Sequence, residues 1–325
     1  MDRRDYLNRL VDVSSTKTET QVSNIAFVKT HKTASTTMAY LFFRYARRHK
    51  LKLAHFDGHN SAVPLEEAVA QTKEGKGRVD IMHYHHSTFG QYDGTWEKAE
   101  RDFRDILRDD KKINFVTVVR DPRTHLLSYY YYFMQPVTKQ SIEHFLMKYD
   151  HPGHDAHHRL FNPLAAEFGI RTPSELQSML DSSLNHFLLM ILTEEFDEGL
   201  MVLRRLLGWD MIDMTYCSMY KTKKGATRYD GKPLVDVPRF EDLSKPAQDA
   251  IDALTGLDRI LYDAAKKQYM QRRNVVADHL EADLEEFVEL QDVVKTYLHT
   301  NSSSEANAMY KTANIYSTKS PFHPF

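Results

Sequence analysis

Apolar positions along this chain follow two rhythms. Short apolar runs at 25–28 and 113–119, and a strand-like stretch at 78–82, each stop at a polar turn and read as strands. After the first run, Met38, Leu41, Phe42 and Tyr45 recur at i, i+3, i+4, i+7, the spacing of an amphipathic helix. After the run at 113–119, Leu127, Tyr130, Tyr131 and Met134 repeat that pattern. Strand, polar turn and helix therefore occur in order twice, which predicts an α/β fold with a central parallel sheet flanked by helices. A last helical pattern covers 278–298 through Leu280, Leu284, Phe287, Val294 and Leu298. Residues 1–22 and 299–325 are polar and aperiodic, so they are expected to be a flexible leader and a loose tail around one domain at 23–298. No internal repeat is visible.

The first turn carries the densest chemistry. Lys29, Thr30, His31, Lys32, Thr33, Ala34, Ser35, Thr36 and Thr37 join the first strand to its helix. A helix start presents unpaired backbone N–H groups and the positive end of its dipole, so this turn predicts an anion cradle, with two lysine charges and several hydroxyls added. The chain has no glycine before Gly58, which excludes the GxxxxGK[ST] phosphate loop here. The second turn is Arg120-Asp121-Pro122, and a proline suits the first turn of a helix, where a missing N–H costs nothing.

Residues 27–35, FVKTHKTAS, closely resemble the 5′-phosphosulfate loop of the galactose-3-O-sulfotransferase family, whose donor is 3′-phosphoadenosine-5′-phosphosulfate (PAPS). The KTAS core is also similar to the uronyl 2-O-sulfotransferases. Residues 119–129 resemble the 3′-phosphate element of sulfotransferases, with Arg120 after a strand and Ser128 eight residues on. Arginine can grip a phosphate with two parallel hydrogen bonds, and serine adds a neutral donor. Residues 191–198 and 201–216 look like the family's strand, acidic turn, helix and tryptophan loop, 161–169 match more weakly, and beyond about 228 the likeness fades.

The resemblance implies a P-loop-like sulfotransferase fold and a set of roles. Lys32 stands at the position that contacts the bridging oxygen of the leaving group. Lys29, Thr30 and the backbone of Thr33, Ala34, Ser35, Thr36 and Thr37 would cradle the 5′-phosphate, with Arg120 and Ser128 on the 3′-phosphate. In the family a histidine three residues before a phenylalanine follows the matching strand; His86 and Phe89 keep that spacing, which makes His86 the expected general base. His85 or His83 could orient it or bind acceptor, and together they satisfy the H-x-H pattern of the uronyl enzymes. His31 is also matched, in a supporting or acceptor-contact role. Lys223 and Lys224 lie in a basic loop that could close over the 3′-phosphate or be a solvated charge run. Tyr132, one of four successive tyrosines, and His157 are candidate acceptor contacts, as is Glu194 in the acidic turn, which could instead cap the next helix. The run 151–158 could alternatively bind a metal, since His154 and His158 would share a helix face, but PAPS chemistry needs none.

Composition adds bounds. The 325 residues are 42% hydrophobic and 27% charged, ordinary for a globular protein. Two donor motifs that must meet across one sheet argue for one domain. A net charge of −2 gives no drive toward nucleic acid or anionic membranes. The single cysteine, Cys217, excludes an intrachain disulfide framework and a cysteine-based zinc site. The first twenty residues hold no apolar core for a signal peptide or membrane anchor, whereas the family's animal members carry a Golgi anchor. The expectation is a soluble cytoplasmic protein, or one of the Golgi lumen if an anchor has been removed. The expected activity is transfer of a sulfuryl group from PAPS to a hydroxyl of a galactosyl sugar, glycan or glycolipid. The alternatives are a uronic acid glycan or small alcohol as acceptor, or a silent PAP-binding or PAPS-binding protein.

Overall fold

The apolar runs become neighbouring parallel strands whose polar turns share one edge of a sheet. A computed structural model describes residues 24–55, 57–58, 61–62, 78–84, 96–107, 113–148, 160–216, 235–300 and 322–323. The chain enters through β1 (Ile25–Val28), α1 (Ser35–Arg48), β2 (Leu53–His55) and β3 (Ile81–Tyr84). It continues through α2 (Trp96–Ile106), β4 (Asn114–Val119) and α3 (Pro122–Tyr129), and α3 runs on as a π-helical turn, Tyr130–Met134. Then follow α4 (Gln135–Thr138), α5 (Ile142–Lys148), α6 (Pro163–Ala166), α7 (Pro173–Ser182) and β5 (Phe187–Leu192). The last elements are α8 (Phe196–Leu207), α9 (Met211–Met214), α10 (Lys245–Leu254), α11 (Gly256–Val275), α12 (Ala277–Thr300) and β6 (Phe322–His323).

The sheet order is β5-β4-β1-β3-β2-β6. The first five strands are parallel, and β6 pairs antiparallel with β2, so this short piece of the 299–325 segment lies on the sheet edge. Every residue of β1, β3 and β4 is buried. Helices cover both faces of a parallel sheet, which is why these strands read as apolar runs rather than alternating ones. All four apolar positions that predicted α1 are buried, as are the four that predicted α3 and its continuation. In α12, Leu280, Phe287 and Val294 are buried on the expected stripe.

The order of strands fixes where a ligand can sit. From β1 the chain leaves toward β2 on one side; from β4, its neighbour, it leaves toward β5 on the other. The turns after β1 and β4 therefore flank a topological switch point, where parallel sheets open a crevice at their carboxyl ends. Gly199 near the start of α8 packs against β5 so closely that a Cβ there would lie 2.5 Å from Ile191 Cγ2. Among the described residues no helix is long and apolar enough to cross a membrane.

A buried polar network pins the far end of α1. Asp213 on α9 accepts from Arg48 Nη1 at 2.7 Å and faces His49 Nε2 at 3.2 Å. Arg44 donates to the backbone oxygens of Ile212 and Asp213 at 3.1 and 2.7 Å. The Tyr45 ring stacks on Trp209 with centroids 3.4 Å apart, and burial beside Asp213 raises its pKa. Removing one member of a buried charge pair leaves the other without compensation. Asp213→Ala should therefore lower unfolding free energy by about 3–5 kcal/mol, with Asp213→Asn in between, in urea titrations. A loss below about 1 kcal/mol would show the network to be dispensable.

Candidate active site

The turn after β1 closes on itself. Lys29 N–H donates to Tyr84 O at 2.9 Å, which prolongs the β1–β3 ladder by one residue. The Thr30 hydroxyl donates to Val118 O at 2.6 Å and lies 2.7 Å from the Thr33 hydroxyl. Thr33 Oγ1 also reaches Thr30 O at 3.1 Å, and Ser35 Oγ donates to the same carbonyl. Thr33 and Ser35 thus bond the turn's own backbone, and Thr30 bonds the backbone of β4. Lys32 and Ala34 adopt left-handed φ of 61° and 63°. Ala34 caps α1 in the conformation that glycine adopts without strain, and it is exposed. The first turn of α1 keeps backbone N–H groups without intrahelical partners, the donors an anion needs. Lys29 is buried; Lys32, Thr36 and Thr37 are half-buried.

The turn after β4 is tied to it. Arg120 Nη1 donates to Lys32 O at 3.1 Å and Arg120 Nε to Thr124 Oγ1 at 3.2 Å. Burial pulls the Arg120 pKa down, and the Glu194 and Asp121 carboxylates oppose that shift. Pro122 opens α3 as expected, and Asp121 caps it by accepting from Thr124 N at 3.0 Å. Ser128 lies half-buried two turns along the same helix. A third turn, after β5, joins both: Thr193 Oγ1 donates to Val119 O at 2.9 Å and to Thr33 O at 3.2 Å. Glu194 accepts from Asp121 N at 2.9 Å and from the Tyr262 hydroxyl at 3.1 Å.

His31 is held from four directions. Its Nδ1 lies 2.6 Å from Glu167 Oε1, whose side chain is 4% exposed. Its carbonyl accepts from His125 Nε2 at 2.9 Å. Its ring meets Phe133 edge-on with centroids 5.3 Å apart, and Arg120 fixes the next peptide. Burial pushes His125 down to about 4, so it is neutral with the proton on Nε2; its Nδ1 has no hydrogen-bond partner among the described residues. Glu167 follows α6, which is docked by buried groups on α11. Asp258 accepts from Leu164 N at 3.2 Å and Ala165 N at 2.7 Å, and Asn162, at φ 48°, accepts from Leu257 N at 2.8 Å. Burial, with the Glu167 carboxylate adding to it, pushes Asp258 up to about 7.

Of the sequence candidates, Lys29 to Thr37, Arg120 and Glu194 lie on the linked turns after β1, β4 and β5, with Ser128 on α3. Tyr132 joins them: the Lys32 ammonium sits 3.6 Å above its ring centroid. Tyr129, Tyr130 and Tyr131 are buried. His83 lies inside β3 and is 1% exposed. His85, His86, His157, Lys223 and Lys224 lie outside the described residues, as does the run 151–158. Glu167, His125 and Thr193 received no role from the sequence; Glu167 stands 136 residues from its partner, so no local spacing announces it.

The sequence model described as Galactose-3-O-sulfotransferase matches residues 9–273. The chain belongs to the galactose-3-O-sulfotransferase family. It is 30% identical over 221 residues to a galactosylceramide sulfotransferase of Bos taurus, covering 62% of this chain and 49% of that protein. The Homo sapiens galactosylceramide sulfotransferase is 31% identical over 212 residues, 59% of this chain and 47% of that one. Galactose-3-O-sulfotransferase 3 of Mus musculus is 29% identical over 268 residues, 76% of this chain and 56% of the relative. The chain spans about half the length of the curated relatives it matches. Within this family member the matched region contains every described crevice residue named above.

Asp258 makes the support of this sulfotransferase-family site pH-sensitive. Its folded pKa of about 7 stands above the ordinary 3.8, so between those values the folded chain holds a proton the unfolded chain has lost. Its protonated state favours folding, and that contribution fades as pH rises from about 4 to about 7. Asp258→Asn removes this slope while leaving that of His125 in both proteins. The mutant should gain about 4 kcal/mol on the wild type across the window, read from urea unfolding at pH 4 to 8. A constant difference would show that Asp258 does not titrate in that range.

Proposed function

We propose that this chain is a PAPS-dependent sulfotransferase acting on a hydroxyl of a galactosyl sugar, glycan or glycolipid. The observation that carries the reading is the meeting of the Lys29–Ser35 turn, Arg120 and the His31–Glu167 pair at the switch point of a parallel sheet. Family membership supports the donor, and the names of the relatives support a galactosyl acceptor.

The chemistry resembles phosphoryl transfer, in which positioning and charge stabilisation do most of the work. The acceptor oxygen forms a bond to sulfur as the bond from sulfur to the bridging oxygen of the 5′-phosphate breaks. The α1 amides, Lys29 and Lys32 bind the 5′ end, and Lys32 takes the negative charge that grows on the bridging oxygen. Arg120 and Ser128 bind the 3′-phosphate, and Lys223 and Lys224, which lie outside the described residues, are the further cations expected on it. The acceptor proton passes to an imidazole. Glu167 accepts the Nδ1 proton of His31, so the neutral tautomer carries its lone pair on Nε2, as in carboxylate-oriented catalytic histidines. His31 is therefore the base this geometry favours, and His86, expected from the family spacing, is the rival that the same experiment separates.

Labelled sulfate transfer from PAPS should be followed on galactosyl lipids, galactose-ended glycans, uronic acid polymers and small alcohols. Label is expected on a galactosyl acceptor. His31→Ala should lower kcat by about 10²-fold or more and leave PAP affinity nearly unchanged. Loss of turnover in His86→Ala with His31→Ala active would transfer the base to His86. Arg120→Ala should weaken PAP about tenfold or more and ADP far less, because only PAP carries the 3′-phosphate. No label on any acceptor, with PAP bound no more tightly than ADP, would overturn the reading.

A further inference from the structure

The π-helical turn Tyr130–Met134 meets the β1–α1 turn residue for residue. Tyr132 lies under the Lys32 ammonium at 3.6 Å, and the next residue, Phe133, meets the ring of His31, the residue before Lys32. Tyr132 and Phe133 also pack edge to face, with centroids 4.8 Å apart, and Tyr129 packs on Phe133 at 4.8 Å. Successive residues of a regular helix are about 100° apart on its surface, which spreads two neighbours over different faces. A π turn takes up an extra residue and re-aims the side chains that follow, a distortion frequent at functional sites. Here it brings two neighbouring aromatic rings onto two neighbouring polar side chains.

We propose that Tyr132 is a positioning residue for Lys32, its ring face holding the ammonium in place for the leaving group. The inference rests on the sulfotransferase reading and deepens it. Lys32 has a flexible four-carbon stem, and Arg120 holds its left-handed backbone at the carbonyl. An ammonium on such a stem gains from a contact that orders it before the reaction. A cation over an aromatic face supplies that contact without a counter-charge that would compete with the growing charge on the bridging oxygen. The attraction acts through the ring and not the hydroxyl, which separates this role from an acceptor contact by the phenol.

Two measurements test it. In 13C-lysine NMR of the full chain without substrates, assigned with Lys32→Arg, the Lys32 side-chain methylene next to the ammonium should be shifted upfield by the ring. That shift should persist in Tyr132→Phe and vanish in Tyr132→Leu. In sulfate transfer, Tyr132→Leu should lower kcat about tenfold with the acceptor KM within about twofold. Tyr132→Phe should restore most of that loss, and in a Lys32→Ala background Tyr132→Leu should cost little further. An unshifted Lys32 in the wild type would overturn the proposal, whatever the enzyme does. So would a loss in Tyr132→Leu that appears as a raised acceptor KM and persists without Lys32. Absence of turnover in the wild type would count against the sulfotransferase reading alone, because the NMR shift needs no reaction.

Discussion

The Thr30 hydroxyl, bonded to Val118 O, is the contact on which the site depends. β1 and β4 run side by side, and Thr117 already stitches them by donating to Val28 O at 2.8 Å. Thr30 carries the stitching past the end of the strand into the turn, and Thr33 and Ser35 bond back to it. Each of these hydroxyls is buried, where an unmade hydrogen bond would cost about 1–3 kcal/mol. The turn therefore has one low-energy shape, and that shape starts α1 over the crevice. Thr193 applies the same logic from the third turn, reaching both Val119 O and Thr33 O.

This locking explains how a turn without glycine holds two left-handed residues. A non-glycine residue there costs about 1–2 kcal/mol. Such strain persists where surrounding contacts over-determine the backbone, and it gathers at functional sites. Arg120 on the Lys32 carbonyl and Thr193 on the Thr33 carbonyl are contacts of that kind. Arg120 thus has two roles: it closes the turn that starts α1, and it supplies the cation at the end of β4.

How far the sequence reveals this depends on the range of each interaction. Strand–turn–helix order, the buried stripes of α1 and α3, and Pro122 at the start of α3 are local and were legible from spacing alone. The motif at 27–35 marked the turn after β1 as the candidate cradle, because charges and hydroxyls sit together in sequence. The jobs of those hydroxyls were not legible, since Thr30 and Ser35 could equally face a phosphate or a nearby backbone carbonyl. Glu167 was hidden by sequence distance, and His125 by looking like another core position on α3. The π turn was hidden because its apolar positions, Tyr130, Tyr131 and Met134, satisfy a regular helical pattern as well as a distorted one.

The support around His31 consists of buried ionisable groups, two of which, His125 and Asp258, have their pKa shifted chiefly by burial. His125 is held neutral and donates to the His31 backbone; the buried Glu167 accepts from the His31 ring; Asp258 docks the helix that carries Glu167. Burying ionisable groups costs more than an apolar core would, so they need a reason to be there. Here the reason is geometric. An imidazole has two ring nitrogens, and a carboxylate fixed on one of them sets how the other is presented. Only a hydrogen bond to a fixed acceptor selects between the two nitrogens. Apolar packing such as Phe133 can fix the plane of the ring but not which nitrogen carries the proton, and that distinction is what the Glu167 carboxylate adds.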